Sequence, residues 1–475
     1  MRPKTLALAV LAALTLATTT AAEPAPPPRP KVVVVGAGIS GLTAALELNS
    51  AGVDVVLLEK EARPGGRLES VHFDGVAANV GAQWVIKGVS PLVDSFLEKI
   101  PMQPVGSGDK GMALVWEGKL IEVSGADLLG SLPFSEKAKR DFVASAARMR
   151  KDAQALFAGV DLEKQKSWDF VFDLPMDSPL WKKLEGMPMA EYLAEYDPAV
   201  STLWGTRVSA GFGGTPETIS ALFLVGWYRG APFFPVDILK GGNDRLTGDM
   251  AAAFEARGGK IVTGAEVTRV SQGAKSVTVV RRDGKEEKAD YCIVTTPAPV
   301  TRKIVEGLSA VQQASLAAVE YAPLASIAMH VKNFPDAEKL VGALYFGGNT
   351  AAFINQTGPV AGRPKEGTVL LVVVTDHAKA KLGEKELLAL AEKDLEVVNP
   401  SFTLEKDLLA YVVKRYAVGE VHVSPGFLSK HLAILRKPAG RVHFGGELVS
   451  NFPTWGGAVW GGQRAAREVL RLLGK

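Results

Sequence analysis

The chain has almost no cysteine. Cys292 is the single cysteine in 475 residues, so an intrachain disulfide, a CxxC redox pair and a cysteine-rich metal site are all excluded. It lies in the apolar run Tyr291-Cys292-Ile293-Val294, where a small buried side chain is its expected role. Histidine is scarce too, and the six histidines show no metal-ligand spacing. The sequence therefore predicts neither a metal site nor a disulfide within the chain.

A marked excess of either charge is also missing. Lysine and arginine total 54, aspartate and glutamate total 51, and the net charge is +3. A nearly neutral protein offers no extended basic surface to a phosphate backbone. We therefore expect no nucleic-acid partner.

No apolar stretch is long and uncharged enough to span a bilayer. The apolar residues 6–17 follow the basic residues Arg2 and Lys4 and precede the small residues 20–22, an order typical of a secretory signal peptide. We interpret residues 1–22 as this signal and residues 23–30, with five prolines, as an extended spacer. The protein is then exported, periplasmic or secreted. Membrane association through an uncleaved segment is the alternative.

After the spacer, a glycine-rich turn lies between two apolar segments. Residues 31–35 and 53–58 are runs typical of parallel strands buried on both faces, and residues 42–50 have helical spacing. Such a turn lets a pyrophosphate approach the backbone at the helix N-terminus, and an acid after the second strand accepts hydrogen bonds from ribose hydroxyls. A turn that serves packing alone is the alternative. The pattern predicts dinucleotide binding by Gly36, Ala37, Gly38, Ile39, Ser40, Gly41 and Glu59.

The segment that begins at Glu59 distinguishes between dinucleotides. Residues 59–67 are EKEARPGGR, and they resemble the segment that follows the ribose acid in the flavin amine oxidase family. Relatives of that family include protoporphyrinogen oxidases and carotenoid desaturases. The resemblance implies FAD, with Lys60, Gly65 and Gly66 along the cofactor and Arg67 at a phosphate or at the flavin. A guanidinium offers planar, charge-assisted donors to an anion; a plain surface charge is the alternative for Arg67.

Later segments resemble the same family as far as the C-terminus. Residues 241–267 resemble the return of the chain into the FAD domain, and residues 444–447 with the helix after them resemble the closing strand and helix. The helix N-terminus would face the flavin carbonyl, where its dipole stabilises an electron-rich reduced flavin. Further cofactor contacts implied by the resemblance are Gly81, Ala82, Gln83 and Trp84 beside the flavin ring, Val267 at adenine, Glu447 at the ribityl or pyrophosphate region, and Trp455 and Ala458 in the closing helix.

One lysine is a catalytic candidate. Lys303 lies six residues after Pro297, where the family often has a lysine that holds a water at flavin N5. Such a lysine assists reoxidation electrostatically. A solvated lysine beside Arg302 is the alternative.

The chain also departs from the family's pattern. The two tyrosines that face each other before the flavin in monoamine oxidases would be Val421 and Thr454 here. The cysteine that carries a covalent flavin would fall near Glu420. We therefore expect FAD to be bound non-covalently, and the resemblance to monoamine oxidases does not extend to their substrate slot.

The type of predicted secondary structure alternates along the chain. Residues 135–157 and 188–226 are mostly helical, and residues 277–281 and 285–293 predict a hairpin that turns at Asp283-Gly284. The predicted fold class is α/β, a Rossmann-type FAD-binding domain interleaved with a mixed α+β substrate-binding domain. We assign 31–105, 236–305 and 406–475 to the first domain and 106–235 and 306–405 to the second.

These features predict an FAD-dependent oxidoreductase that transfers hydride from a small-molecule substrate to the flavin, which oxygen or another electron acceptor then reoxidises. An amine or amino-acid-like substrate is the first hypothesis. A protoporphyrinogen-oxidase-like or carotenoid-desaturase-like enzyme acting on a larger apolar substrate is the second. A flavin-containing binding protein with little turnover is the third. The sequence does not indicate an oligomeric state.

Overall fold

A computed structural model describes most of the chain from residue 29 onward. The predicted signal peptide and all of the predicted spacer except Arg29 and Pro30 lie outside the described residues. The described ranges are 29–105, 112–122, 128–160, 169–174, 176–229, 236–335, 340–358 and 360–475.

The strands belong to two larger sheets and several ribbons. Within the described ranges they are β1 (Lys31–Val35), β2 (Asp54–Leu58), β3 (Ser70–Phe73), β4 (Val76–Asn79), β5 (Met102–Val105), β6 (Ala113–Trp116), β7 (Lys119–Ile121), β8 (Val236–Leu239), β9 (Lys260–Val262), β10 (Val267–Gln272), β11 (Val277–Arg281), β12 (Glu286–Ala289), β13 (Tyr291–Val294), β14 (Tyr321–Val331), β15 (Gly342–Phe346), β16 (Ala352–Asn355), β17 (Thr368–Val374), β18 (Leu408–Val421) and β19 (Val442–Phe444).

The helices are concentrated in the first half of the chain and at its end. Those of the described ranges are α1 (Ile39–Ser50), α2 (Pro91–Leu97), α3 (Leu128–Ser131), α4 (Glu136–Leu156), α5 (Pro179–Glu185), α6 (Met189–Leu193), α7 (Pro198–Phe212), α8 (Ala221–Phe223), α9 (Asp244–Ala256), α10 (Ala298–Ile304), α11 (Ala310–Ala317), α12 (Glu384–Val398), α13 (Leu404–Asp407), α14 (Phe427–Arg436) and α15 (Trp455–Leu472). A π-helical turn, Leu224–Tyr228, continues α8.

The glycine-rich turn follows the central strand of a parallel sheet. The described strands of this sheet have the order β19-β13-β1-β2-β9, and every pairing is parallel. Val32, Val33 and Val34 of β1 have no exposed surface, as expected of a strand covered on both faces. Helix α1 connects β1 to β2 and packs against α15 and α9. The predicted βαβ unit and the α/β fold class are confirmed.

The predicted hairpin partner at 285–293 is wrong in part, because two strands occupy that range. β12 pairs with β11 in an antiparallel ribbon, whereas β13 lies in the parallel sheet beside β1. The chain changes direction at Asp290, whose carboxylate accepts a hydrogen bond from the Lys31 backbone N–H at 2.8 Å. The two strands have different partners because their residues differ: β12 is charged and β13 is continuously apolar, as a strand inside a parallel sheet must be.

The second large sheet covers the other side of the molecule. Its described strands have the order β18-β14-β17-β16-β15-β6-β7, and the pairs between them are antiparallel except for β15 with β6. β17 alternates between two apolar environments. Leu370, Val372 and Val374 belong to a core that contains residues of α12, whereas Leu371 and Val373 belong to one that contains residues of β4. The sheet is therefore covered on both faces.

The predicted domain boundary at residue 406 does not mark the point where the chain returns to the first sheet. β18, which lies after that boundary, is hydrogen-bonded to β14 over most of its length, so it belongs to the second sheet. The chain returns to the first sheet only at β19. The division into an FAD-binding and a substrate-binding domain stays a prediction.

A layer of helices completes the molecule. α4 is the observed form of the helix predicted within 135–157, and α6 to α8 are that of the helices predicted within 188–226, whereas α5 lies between the two ranges. Trp181, Tyr192 and Trp204 are fully buried among these helices. Residues of α7, of the π-helical turn, of the second sheet and of the start of α15 meet around one internal cavity. Among the described residues, no helix combines the length and the apolar character needed to cross a membrane.

Candidate functional site

The first and third glycines of the turn are required by close packing. Gly36 has φ +99°, and a Cβ there would lie 2.8 Å from the Thr295 hydroxyl oxygen. A Cβ on Gly41 would lie 1.9 Å from the Gly36 carbonyl oxygen. The turn can therefore keep this shape only with glycine at both positions.

The second glycine faces open space. A Cβ on Gly38 would meet no atom within 4 Å, although the residue stands at the start of α1. Gly38 caps the helix without any side-chain hydrogen bond, and no acid lies in the first helical turn. Free N–H groups and the positive end of the helix dipole thus point toward an unfilled space. This cradle fits the pyrophosphate of a dinucleotide.

Glu59 lies beside the same turn and is 6 % exposed. Its Oε2 accepts a hydrogen bond from the Ala37 N–H at 2.7 Å, and its Oε1 accepts one from the Glu61 N–H at 2.9 Å. Each carboxylate oxygen has two lone-pair sites, so both oxygens can still accept hydrogen bonds from ribose hydroxyls. Glu59, the predicted ribose acid, therefore lies beside the glycine turn and also orders it.

The segment after Glu59 crosses over the glycine turn. The Gly65 N–H donates to the Ala37 carbonyl at 2.8 Å, and a Cβ on Gly66 would lie 3.3 Å from the Gly38 Cα. Lys60 points away, with its ammonium 3.1 Å from the Glu61 carboxylate and its side chain 67 % exposed. The structure therefore brings Gly65 and Gly66, but not the Lys60 side chain, to the turn.

The buried members of the turn serve its packing. Ala37 and Ile39 belong to the main apolar core. The Ser40 hydroxyl accepts a hydrogen bond from the Gly446 N–H at 2.8 Å, and a Cβ on Gly462 would lie 2.2 Å from the Ser40 carbonyl. Ser40 therefore joins the turn to the C-terminal segment that carries Glu447.

Arg67 and Glu447, predicted separately, form one ion pair. The Arg67 guanidinium donates to the Glu447 carboxylate and to the Gly419 carbonyl. Burial lowers the pKa of Arg67, but the charge and hydrogen bond of Glu447 outweigh it, so that pKa is raised overall. Burial and the nearby Glu447 raise the pKa of Glu420 well above its ordinary value, against the opposing effect of Arg67. Two carboxyl groups thus share one guanidinium.

A polar anchor that the sequence did not reveal orders the loop 81–84. The buried Asn243 side chain donates to the Ala82 carbonyl at 2.8 Å and to the Gln83 carbonyl at 3.2 Å. The Gln83 amide donates to the Gly81 carbonyl at 2.7 Å, while the Gln83 Oε1 is buried without a hydrogen-bond partner. An unsatisfied acceptor in this loop suits a donor on a bound molecule. Asn243 lay within a recognised motif, but nothing in the sequence marked its contact with Ala82.

This loop forms one wall of an internal cavity of about 170 Å³. The wall is largely apolar and aromatic, and the charged side chains among its described residues are Arg207 and Glu420. The Phe212 and Trp227 rings meet edge to face at 5.7 Å. The aromatic lining residues are Trp84, Phe212, Trp227, Tyr228 and Trp455.

The π-helical turn accounts for part of this lining. It places the consecutive residues Trp227 and Tyr228 on the cavity wall, and Arg229 after them has φ +51°. π-helical turns often mark functional sites because they change which side chains face a neighbour. Burial raises the pKa of Tyr228 to about 12, so its hydroxyl stays protonated at neutral pH.

The start of α15 closes the cavity from the C-terminal side. The Thr454 hydroxyl accepts a hydrogen bond from the Gly457 N–H at 3.2 Å, and Thr454 and Trp455 both line the cavity. Ala458 is buried one turn further on and does not line it. Of the two residues at the monoamine oxidase tyrosine positions, Thr454 therefore faces the cavity, whereas Val421 is buried elsewhere and the cavity is lined by Glu420 instead.

Two predicted residues lie away from the cavity. Val267 begins β10 and is 7 % exposed, in the ribbon that follows β9. Lys303 is exposed on α10, where its charge acts on Glu266, and it is absent from the described residues that line the cavity. The structure therefore favours the solvated alternative for Lys303.

The described residues fit a flavin dinucleotide. Three features could hold it. They are the open space at Gly38, the carboxylate of Glu59 beside the glycine turn, and the loop 81–84, which has an unsatisfied amide oxygen and reaches the cavity. Within the part of the chain that the structure describes, no group of three or more potential ligand side chains could hold a metal. A second, more open depression near Lys332 and Glu366 has none of the predicted site residues in its lining.

Known proteins resemble the chain over nearly its whole length. A putative flavin-containing monoamine oxidase of Mycobacterium tuberculosis is 26 % identical over 93 % of this chain and 97 % of its own. An L-amino acid dehydrogenase of Synechocystis is 24 % identical over 93 % of this chain and 95 % of its own.

Solved structures share the fold. A putrescine oxidase bound to putrescine superposes with a TM-score of 0.77 at 20 % identity, covering 94 % of this chain and 100 % of that one. A cyclohexylamine oxidase from Brevibacterium oxydans gives 0.74 at 19 % identity, with coverage of 94 % and 100 %. The model of the family described as flavin containing amine oxidoreductase matches residues 39–470. The chain therefore belongs to the flavin-containing amine oxidoreductase family and is a flavin-dependent oxidoreductase.

Proposed function

We propose that the chain binds FAD non-covalently and removes hydride from the carbon beside the nitrogen of an amine or amino-acid-like substrate. The flavin, when bound, supplies the hydride acceptor. The residues around the cavity bind and orient the substrate and exclude water. The turn at Gly38 and the acid Glu59 hold the dinucleotide end.

The observation that carries this proposal is the cavity itself. Its loop 82–84 comes from the segment that resembles the flavin-side loop of the family, and its opposite wall is aromatic, with a carboxyl group at Glu420. Aromatic faces and a carboxylate are the groups that hold an ammonium cation. A small amine beside the flavin ring is the ligand that this combination suits.

Non-covalent attachment is supported by the position of Cys292. A thioether to the flavin needs a cysteine at the ring, and Cys292 is the chain's only cysteine. It has no exposed surface and lies in β13, beside the central strand β1 of the parallel sheet. Burial also raises the pKa of its thiol far above the usual range, which suppresses the reactive thiolate.

Arg207 favours an amino-acid substrate within the same proposal. Arg207 lines the cavity on the α7 side, and guanidinium groups bind carboxylates well. Arg207→Met should weaken reduction of the flavin by an α-amino acid and leave reduction by the corresponding amine without a carboxylate nearly unchanged. Equal losses for both substrates would remove the amino-acid option.

The cavity volume speaks against a larger apolar substrate. About 170 Å³ lies below the roughly 300–1,000 Å³ of pockets that enclose a drug-sized ligand, which favours a small substrate over a tetrapyrrole or a carotenoid. The third hypothesis, a flavin-containing binding protein with little turnover, is not supported, because the family match makes the chain a flavin-dependent oxidoreductase.

The decisive experiment is anaerobic reduction of the purified protein. The yellow protein should release intact FAD on denaturation, and one member of a panel of amines and amino acids should bleach its absorbance. Peroxide formation after oxygen is admitted would then identify oxygen as the acceptor. A colourless protein, or a flavin bound covalently after denaturation, would contradict the cofactor part; a flavin that no member of the panel reduces would contradict the substrate part.

We further propose export through residues 1–22, an inference from sequence alone. The mature protein should then begin near Glu23 and fractionate outside the cytoplasm. N-terminal sequencing of protein from a fractionated cell checks this. A start at Met1 in a membrane fraction would instead support an uncleaved anchor.

A further inference from the structure

We propose that Asn243, which is not among the described residues that line the cavity, is a positioning residue that raises the reduction potential of the bound flavin. Its side-chain amide holds two successive carbonyls of the loop 81–84 and thereby turns the N–H groups of Gln83 and Trp84 toward the cavity. These two N–H groups stabilise the negative charge that the flavin ring gains on reduction. The proposal rests on the cofactor part of the proposed function and is independent of which substrate reduces the flavin.

Two peptide units of this loop have a direction that Asn243 sets. The Asn243 amide nitrogen donates to the Ala82 carbonyl at 2.8 Å and to the Gln83 carbonyl at 3.2 Å. No described peptide bond is cis, so the N–H of each unit points opposite to its carbonyl. The N–H groups of Gln83 and Trp84 therefore both point away from Asn243.

These two N–H groups are available to a ligand. Neither is hydrogen-bonded to an acceptor of the described residues, although the N–H groups of Ala82 and Val85 on either side both donate to backbone carbonyls. Ala82, Gln83 and Trp84 line the cavity, whereas Asn243 has no exposed surface. The side of the loop opposite Asn243 is therefore the cavity side.

A buried polar cluster holds Asn243 in place. The Asn243 N–H donates to the Asn79 side-chain oxygen at 2.9 Å, and the Asn79 N–H donates to the Gln356 side-chain oxygen at 3.3 Å. The three residues are at most 1 % exposed. Rearranging such a cluster would leave buried polar groups without partners, which is costly. The direction of the two peptide units is therefore set before any ligand binds.

The Gln83 side chain adds an acceptor to the two donors. Its amide nitrogen donates to the Asn79 and Gly81 carbonyls, which fixes which end of the amide is the oxygen. That oxygen is buried without a hydrogen-bond partner. The loop thus offers N–H donors and an acceptor side by side, and a flavin ring has carbonyl oxygens beside an N–H group. The two patterns are complementary.

Reduction of the flavin is the step that this arrangement favours. A hydride from the substrate carbon brings two electrons and one proton to the ring, so the ring gains one negative charge, which its carbonyl oxygens share. N–H donors fixed in advance stabilise that charge more than they stabilise the neutral oxidised ring. Without Asn243 the two peptide units can turn, and this preference for the reduced ring is lost.

The test measures the two-electron reduction potential of the flavin-loaded protein against a reference dye, without oxygen and with dithionite as the reductant. Asn243→Leu keeps the size of the side chain but cannot hold the carbonyls. We expect the equilibrium to shift toward oxidised flavin by about tenfold, a fall of about 30 mV in potential. A purely structural role would weaken the binding of oxidised and reduced flavin equally and leave the potential unchanged.

Asn355→Leu is the matched control. Asn355 is 1 % exposed, and its side-chain amide also bridges two carbonyls, those of Pro335 at 2.8 Å and Leu340 at 3.3 Å. None of these three residues is among the described residues that line the cavity. Asn355→Leu should therefore unfold at a lower urea concentration than the wild type and keep the wild-type potential.

A wild-type potential in folded, flavin-loaded Asn243→Leu would overturn the proposal, and so would an equal shift in Asn355→Leu. If Asn243→Leu does not fold, Asn243→Ser decides, because serine has one hydroxyl donor and must shift the potential in the same direction. A wild-type protein that takes up no flavin would refute the cofactor part of the proposed function together with this proposal. A shifted potential in a protein that no amine or amino acid reduces would refute the substrate part alone.

Discussion

At the scale of single residues, the positions of the glycine turn differ in what a side chain would meet. Gly36 and Gly41 are closed in by backbone and by Thr295, whereas Gly38 opens onto the space at the start of α1. A side chain at Gly38 would therefore leave the protein fold in place and fill the space that suits the pyrophosphate. This separates cofactor retention from folding.

Gly38→Val should yield a folded protein without flavin. Gly248→Val is the matched control, because Gly248 is exposed on α9 and a Cβ there also meets nothing within 4 Å. We expect the control to keep its flavin and both variants to unfold at similar urea concentrations. Absorbance of the purified proteins and urea unfolding measure the two properties. Full flavin content in Gly38→Val would show that the cofactor lies elsewhere.

Glu59→Ala should weaken FAD binding less, by about 1–3 kcal/mol, the usual worth of hydrogen bonds to a charged group. Part of the loss is indirect, since the variant also frees the Ala37 and Glu61 N–H groups that Glu59 now accepts from. Titration of the apoprotein with FAD gives the difference in affinity. Glu61→Ala, whose carboxylate pairs with Lys60 at the surface, should leave the affinity unchanged. Equal effects of the two variants would count against a ribose contact.

Lys303→Met should leave both half-reactions within about fivefold of the wild type, because exposed charge pairs contribute at most about 1 kcal/mol, which is about fivefold in rate. The lysine lies on the surface of α10 near Glu266 and away from the cavity. Stopped-flow absorbance follows flavin reduction and reoxidation separately, with Arg302→Met as the neighbouring control. Reoxidation slowed by about a hundredfold in Lys303→Met alone would restore the catalytic role.

At the scale of elements, one carboxylate ties the segment that crosses the turn to the long strand β18. Glu69 accepts hydrogen bonds from the Lys414 ammonium at 2.8 Å and from the Tyr416 hydroxyl at 2.9 Å, and Arg63 lies 3.1 Å away. Burial alone would raise the pKa of Glu69. The two hydrogen bonds and the positive charges outweigh burial, so that pKa lies below its ordinary value of 4.5.

Glu69→Gln should therefore destabilise the protein in a pH-dependent way. A carboxyl whose pKa is lower in the folded state stabilises that state above pH 4.5, and the contribution disappears as the pH falls through the folded-state value. We expect a loss of about 1 kcal/mol at neutral pH that vanishes in acid. Urea unfolding at several pH values measures it, with Glu255→Gln on the surface of α9 as control. A loss that is the same at every pH would mean that packing, not charge, holds this contact.

The elements also show where sequence patterns suffice. β1, α1 and β2 were predictable because each has a local signature. The two strands are apolar runs rich in valine, and the helix follows a glycine turn and has helical spacing. The split between β12 and β13 was not, because both are extended and only their partners differ. The pairing of β18 with β14 joins residues about a hundred positions apart, and no local pattern specifies such a partner.

At the scale of the whole molecule, the same limit applies to the site. Residues recognised through motifs lie near the first sheet: Glu59 stands beside the glycine turn, and Glu447 follows β19 and pairs with Arg67. Arg207 and Glu420 reach one cavity from α7 and β18, and neither stands in a motif that predicts this. Their roles follow from what they face, which depends on packing between layers. The dinucleotide end could therefore be predicted from the sequence, and the substrate end could not.

The composite origin of the parallel sheet has a consequence for synthesis on the ribosome. β1 and β2 emerge first, β9 and β13 after the middle of the chain has been translated, and β19 with Glu447 and α15 only at the end. The hydrogen bond between Ser40 and Gly446 spans 406 positions. A nascent chain halted before β19 lacks the partner of Arg67 and the helix that packs on α1, so the cofactor site stays incomplete until α15 has been translated. Chains truncated before β19 should therefore bind no flavin, whether they stay in the cytoplasm or are exported.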